Sequence, residues 1–181
     1  MNIFLPHEDD IAASVQSLDD LRLNKQILEC YQLLTSAIKE KNGDKPNGWY
    51  KHPVYVFYKD NIPFLAYYGY ECCRELAYRN GHWHSLTDYF DNVMTDLGLF
   101  EFDDEGYIIS MEIPKFTPFY MEGSKGQPNY IRTTENVSTL FQQKLINKWN
   151  NDKAKCRPPK WTNRQVPEFY KKEMENGKNN M

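Results

Sequence analysis

Within SLDDLRLNKQILE, residues 17–29, Arg22, Lys25, Gln26 and Glu29 recur three or four positions apart. On a helix that spacing gathers two cations, an amide and a carboxylate along one stripe. Arginine and lysine bind phosphates, a glutamine reads or wedges at a base edge, and a carboxylate can serve chemistry on the bound polyanion. The alternative is a plain solvated face. A second cluster lies near the C-terminus, where Trp161 stands between Lys160 and Arg164. It is either a stacking platform among cations or an aromatic that anchors a coil to the core. His82-x-His84 offers two metal ligands, which do not make a site, and His7 and His52 are ambiguous singly. The chain has no glycine-rich phosphate loop, no serine elbow and no CxxC pair.

These residues need a fold to position them, and the composition allows one. The chain has 181 residues with 15% aromatics, including thirteen Tyr and ten Phe, enough for a buried core. No apolar run reaches membrane-spanning length. The start, MNIFLPHEDD, is acidic and lacks the basic region of a secretory signal, so a cytoplasmic protein is expected (host cytoplasm if phage-encoded). Cys30, Cys72, Cys73 and Cys156 then read as reduced thiols, the adjacent pair as small packing residues. A net charge of −3 argues against a uniformly basic nucleic-acid binder, but the charge is segregated. Acids accumulate without Lys or Arg from His84 to Glu112, and cations dominate from Ile113 to Lys172. Such a field steers a phosphate backbone to one side of the molecule.

The pattern predicts a mainly α fold. Ser17 with Asp20 resembles a capping box for a first helix whose Leu23, Ile27, Tyr31, Leu34 and Ile38 face inward, and Asn42-Gly43 ends it. Pro53 begins a short helix. Asn61 caps a longer one, from Phe64 to Arg79, closed by Gly81 in a left-handed turn. Ser85 with Asp88 repeats the capping pattern for a helix stopped by Gly98, and LFEFDDEGYII suggests one β-hairpin around residues 104–106. A Pro/Gly-punctuated loop follows, then a helix capped by Thr134 and running to about Trp149. The segment beyond it is irregular and basic, with a loose end from 173 to 181. One domain spans 1–172.

Four stretches in this order resemble the pyrimidine dimer DNA glycosylase family, the endonuclease V type known from phage. They are L-D-D-x-R-L-x-K-Q at 18–26, G-W-x-x-H-P at 48–53, the helix FLAYYGYECCRELAYRNG at 64–81, and the basic CRPPKW at 156–161. The resemblance is good over about the first 84 residues and loose over the last fifty, with residues 85–127 reading as an insertion. It implies a compact helical DNA-repair fold that acts on damaged or modified pyrimidines in double-stranded DNA, as glycosylase and AP lyase, without metal or organic cofactor. The family attacks through the chain's α-amine, helped by a carboxylate of the first helix. Here that implies Met1 as nucleophile, because residue 2 is Asn, whose bulk usually blocks Met removal. It implies Glu29 as the carboxylate, with Asp20 or Asp19 as alternatives, because the position after the helix arginine is Leu23. Arg22, Lys25, Gln26, His52, Arg157, Lys160 and Trp161 are the expected DNA contacts. Two readings compete: a non-catalytic DNA-binding or virion-associated protein on the same fold, and an interaction module whose acidic segment 85–127 docks a protein partner.

Overall fold

The computed structural model describes residues 3–7, 10–116, 120–122, 129–131 and 137–179. Among these the chain forms α1 (Ile11–Gln16), α2 (Asp20–Lys41), a 3-10 turn at Gly48–Lys51, α3 (Pro53–Tyr58), α4 (Ile62–Asn80) and α5 (Thr87–Asp96). Four short strands follow: β1 (Phe100–Phe102), β2 (Ile108–Met111), β3 (Tyr120–Glu122) and β4 (Asn129–Ile131). Helices α6 (Val137–Ala154) and α7 (Glu168–Asn179) complete the order. The fold is mainly α, as the pattern predicts.

Helices α2 and α4 form the central pair, with α1 and α5 packed on α4. Leu23, Ile27, Cys30 and Leu34 of α2 and Leu65, Tyr68 and Cys72 of α4 are fully buried. The four cysteines are free, and three of them are core residues. Residues 3–5 run into this core, and Phe141, Leu145 and Trp149 of α6 close over it. Each large side chain so buried contributes roughly 1.5–3 kcal/mol.

The α4–α5 contact depends on a glycine. A Cβ at Gly69 would stand 2.1 Å from Cε1 of the fully buried Phe90, far inside van der Waals contact. Gly69→Ala should therefore cost roughly 1–3 kcal/mol despite its better helix propensity. A denaturant titration checks this, and a second change, Phe90→Leu, should recover part of the loss.

Several local expectations need revision. Ser17 does not cap the first long helix. The short helix α1 precedes it, capped by Asp10 through Ala13 N–H, and Ser17 ends α1 by donating its hydroxyl to Ala13 C=O. Six residues carry too little periodicity to read as a helix. Ser85 is likewise no cap: α5 starts after Leu86, with Leu86 N–H donating to His84 Nδ1. Thr134, expected to cap α6, lies outside the described residues. Pro53 and Gly81 behave as predicted, Gly81 closing α4 at φ +75°.

The hairpin β1–β2 forms around a turn in which Asp103 Oδ1 accepts from Glu105 and Tyr107 N–H. A second hairpin, β3–β4, occupies the segment expected to be loop. Helix α5 buries Phe90 and Met94, so residues 87–96 contribute to the core. Helix α7 reaches Asn179, held by Phe169 and Tyr170 against Trp149.

Candidate DNA-binding and catalytic site

The polar stripe of α2 is not one exposed face. At about 100° per residue, Gln26 falls roughly 60° from Leu23, inside the buried arc. It is 1% exposed, while Glu29 is 7% and Lys25 65% exposed. The solvent-facing residues are Leu21, Asn24, Lys25 and Leu28, with Arg22 and Glu29 at the boundary.

Burial gives Gln26 a different task from the base-edge contact expected of it. Its Oε1 accepts from Phe4 N–H at 3.0 Å and from Tyr68 OH at 3.2 Å, and its Nε2 donates to Glu29 Oε2 at 2.8 Å. Tyr68 shares its single hydroxyl proton between that amide oxygen and Phe4 C=O, which is nearer at 2.8 Å. The start of the chain is thereby pinned to the middle of α2, next to Glu29. Met1 itself lies outside the described residues. From Ile3, which is fully buried, two residues span at most ~7 Å.

Burial raises the Glu29 carboxyl above its ordinary range, and the positive α-amino terminus, Lys25, the Gln26 amide and Lys148 pull against it. His52 feels the same terminal charge. Burial, and then the α-ammonium, hold its imidazole below the usual value. His52 Nδ1 accepts from Val54 N–H and caps α3, so this histidine is a half-buried helix cap facing the site's field. A carboxyl whose hold on its proton is strengthened by burial, beside cations, can donate a proton or stabilise a developing positive charge.

Helix α6 supplies the other wall. Phe141 meets Phe4 edge-on at 5.8 Å, and Gln142 donates to Pro6 C=O. Trp149 Nε1 donates to Asp19 at 2.9 Å, and Asp152 pairs with Arg22, which also reaches Asp19 at 3.1 Å. Lys148, one turn before Asp152, sits half-buried on this seam. Burial, with the charges of Arg22 and Lys25, holds its amine below the usual lysine range. Sequence reasoning missed Lys148. Its signal was only that it shares a helix face with Asp152 and lies next to the apolar face of Phe141, Leu145 and Trp149.

The late basic segment meets the opposite side of the α2 N-terminus. Asp20 N–H donates to Lys160 C=O, and Thr162 bonds the Asp20 carboxylate through both its N–H and hydroxyl. Trp161 is half-buried. Its indole N–H donates to Ser17 C=O and its ring meets Trp149 edge-on at 4.9 Å, so it anchors the segment instead of offering a free stacking face. Arg157 and Lys160 are exposed. His82 and His84 are engaged locally, with Asn80 C=O and Leu86 N–H, and no group of three metal-ligating side chains converges among the described residues.

A buried ion-pair network, unforeseen in the sequence, fixes this end of the site. Arg79, 2% exposed, donates to Glu75 at 2.7 Å, Asp20 at 3.0 Å, Leu18 C=O at 2.8 Å and Gln16 C=O at 3.0 Å. Arg164 grips Glu75 with two bonds of 2.9 and 2.8 Å and lies over the Tyr78 ring.

The sequence profile of pyrimidine dimer DNA glycosylases matches residues 1–94, just over half of the chain. The chain belongs to the pyrimidine dimer DNA glycosylase family. The matched segment contains the chain start, α2 and α4, hence Gln26, Glu29, His52 and Arg79, and it extends through most of α5. Family membership makes this a DNA glycosylase of the repair class with DNA as its ligand. No curated protein and no solved structure shows significant similarity to the chain. No helix among the described residues is long and apolar enough to cross a membrane.

Proposed function

We propose that the chain excises damaged or modified pyrimidines from double-stranded DNA through an imine on its own α-amine, and then cleaves the strand as an AP lyase. The observation that carries this reading is the hydrogen-bonded relay from Phe4 through Gln26 to Glu29, which ties the chain three positions after Met1 to a buried carboxyl. An α-amine has an ordinary pKa of about 7.7–8.0, so an appreciable fraction is neutral near pH 7, unlike lysine near 10.4. Its lone pair attacks C1′ as the glycosidic electron pair leaves with the base. The ring oxygen then departs from C1′ as the C=N bond forms, and Glu29 stabilises the positive charge or delivers the proton that oxygen needs. The imine acidifies C2′, and β-elimination breaks the 3′ phosphodiester. Lesions stack poorly, so turning a nucleotide out of the duplex costs least there. Lys25 and Arg22, with Lys148, Arg157 and Lys160, supply the phosphate-facing charge. The reading requires no metal or organic cofactor.

Borohydride trapping tests it. Incubation with duplex DNA carrying a pyrimidine dimer or an abasic site, followed by reduction, should give a covalent adduct that maps to the N-terminal peptide. Acetylating the α-amine should abolish it. Salt-sensitive DNA binding with no adduct would instead favour the non-catalytic binding protein.

A protein partner for the acidic segment has one supporting observation. Tyr107, Ile108 and Ile109 on the β1–β2 hairpin are at least half exposed beside Asp103, Asp104 and Glu105. That is an apolar surface with an acidic rim, suited to a basic partner.

A further inference from the structure

The exposed stripe of α2 has two flanks. Glu29 and Lys148 occupy one, and a cleft of about 430 Å³ opens on the other, between α2, the end of α4 and residues 160–162. Trp83 lines this cleft with its side chain 55% exposed, whereas Trp149 is fully buried and Trp161 is tied to Ser17. An indole left in a polar cleft is unusual, because its ring gains little from water and has a π face to offer. Around it stand Asn24, Asn80, His82, His84 and Lys160.

The hydrogen-bonding character of the rim follows from existing bonds. His84 Nδ1 accepts from Leu86 N–H, so the neutral ring carries its proton on Nε2, a free-standing donor. His82 Nδ1 faces Asn80 C=O, which only accepts, so Nδ1 donates there and Nε2 is left for a ligand. Two carboxamides add both kinds of group, and Lys160 adds a cation at the edge of the basic run. Asp20, the one acid of the cleft, is already committed to Arg79 and Thr162.

A flat aromatic face, mixed donors and acceptors, and one cation match the three parts of a nucleotide: base plane, base edge and phosphate. We propose that this cleft is a subsite for one unpaired nucleotide of the DNA strand, with the base stacked on Trp83 and its phosphate at Lys160. The inference rests on the DNA-processing reading above for its ligand, but not on the imine chemistry.

The test uses the full chain and an unmodified, labelled oligothymidylate of eight nucleotides, with binding followed by fluorescence anisotropy at fixed salt. Trp83→Ala should weaken binding roughly tenfold, the scale of one lost base stack. Trp83→Phe should retain most of the affinity. Because Trp83 is exposed, both variants should melt as the parent does. Unchanged affinity in Trp83→Ala, or a loss seen only on Lys160→Ala, would overturn the subsite and leave plain charge attraction. Glu29→Gln run in parallel separates the two ideas. Trp83-dependent binding supports the cleft whether or not a borohydride adduct forms, and adduct formation decides the catalytic reading alone.

Discussion

Glu29→Gln should lower base excision by on the order of 10²–10⁴-fold while leaving the fold and DNA affinity nearly intact. The amide can still accept from Gln26 Nε2, so the relay to Phe4 survives and only the titratable oxygen is lost. The stability effect has a definite sign. Burial raises the Glu29 carboxyl, so the native state holds its proton to higher pH than the unfolded chain. The penalty for ionising it is absent below the unfolded carboxyl range and grows as pH rises through the window up to the raised native value. At neutral pH the amide variant should therefore be as stable as the parent or more so, and its stability should vary less across mildly acidic pH. Single-turnover excision alongside urea unfolding at several pH values checks both halves. Activity lost together with stability would mark Glu29 as structural only.

Arg79→Met should have the largest effect on stability. The guanidinium is wholly enclosed and joins Glu75, Asp20 and two main-chain carbonyls, so removing it strands several buried acceptors at once. Breaking one side of such a buried network costs roughly 3–5 kcal/mol. For a chain of this size that lowers Tm by on the order of 10 °C. The second grip of Arg164 on Glu75 keeps that carboxylate from being wholly uncompensated, which moderates the loss. Arg79→Lys should recover little, since one ammonium cannot serve four acceptors in a fork geometry. Thermal melting followed by circular dichroism measures both.

The helices that carry the site were readable because their apolar spacing is long and regular. Leu23, Ile27 and Leu34 predict the buried face of α2, and Gly81 predicts the end of α4, because each follows from local geometry. The side-chain roles were less readable. A polar residue three or four positions from other polar residues looks exposed, yet Gln26 also lies between Leu23, Cys30 and Leu33 on the same arc. The incoming main chain of Phe4, together with Tyr68 and Glu29, explains why an amide is there. Arg79 stands in the last turn of α4, and its partners at residues 16, 18 and 20 lie about sixty positions away. Trp161 kept two readings open until Ser17 C=O and Trp149 decided for the anchor. Spacing reports local neighbours, and these bonds are long-range.

The stitching of residues 160–164 onto the α2 N-terminus and α4 bears on how the molecule comes apart. The family-matched portion, 1–94, does not own its core. It borrows Phe141, Leu145 and Trp149 from α6, and its Asp19, Asp20 and Glu75 are neutralised or bonded from beyond residue 148. The helices before residue 97 and those after residue 136 should consequently melt as one cooperative unit, with protected amides in α2, α4 and α6 exchanging together. Between them, the exposed tip of the β1–β2 hairpin, residues 104–107, is the place where a protease can nick the backbone without releasing either half.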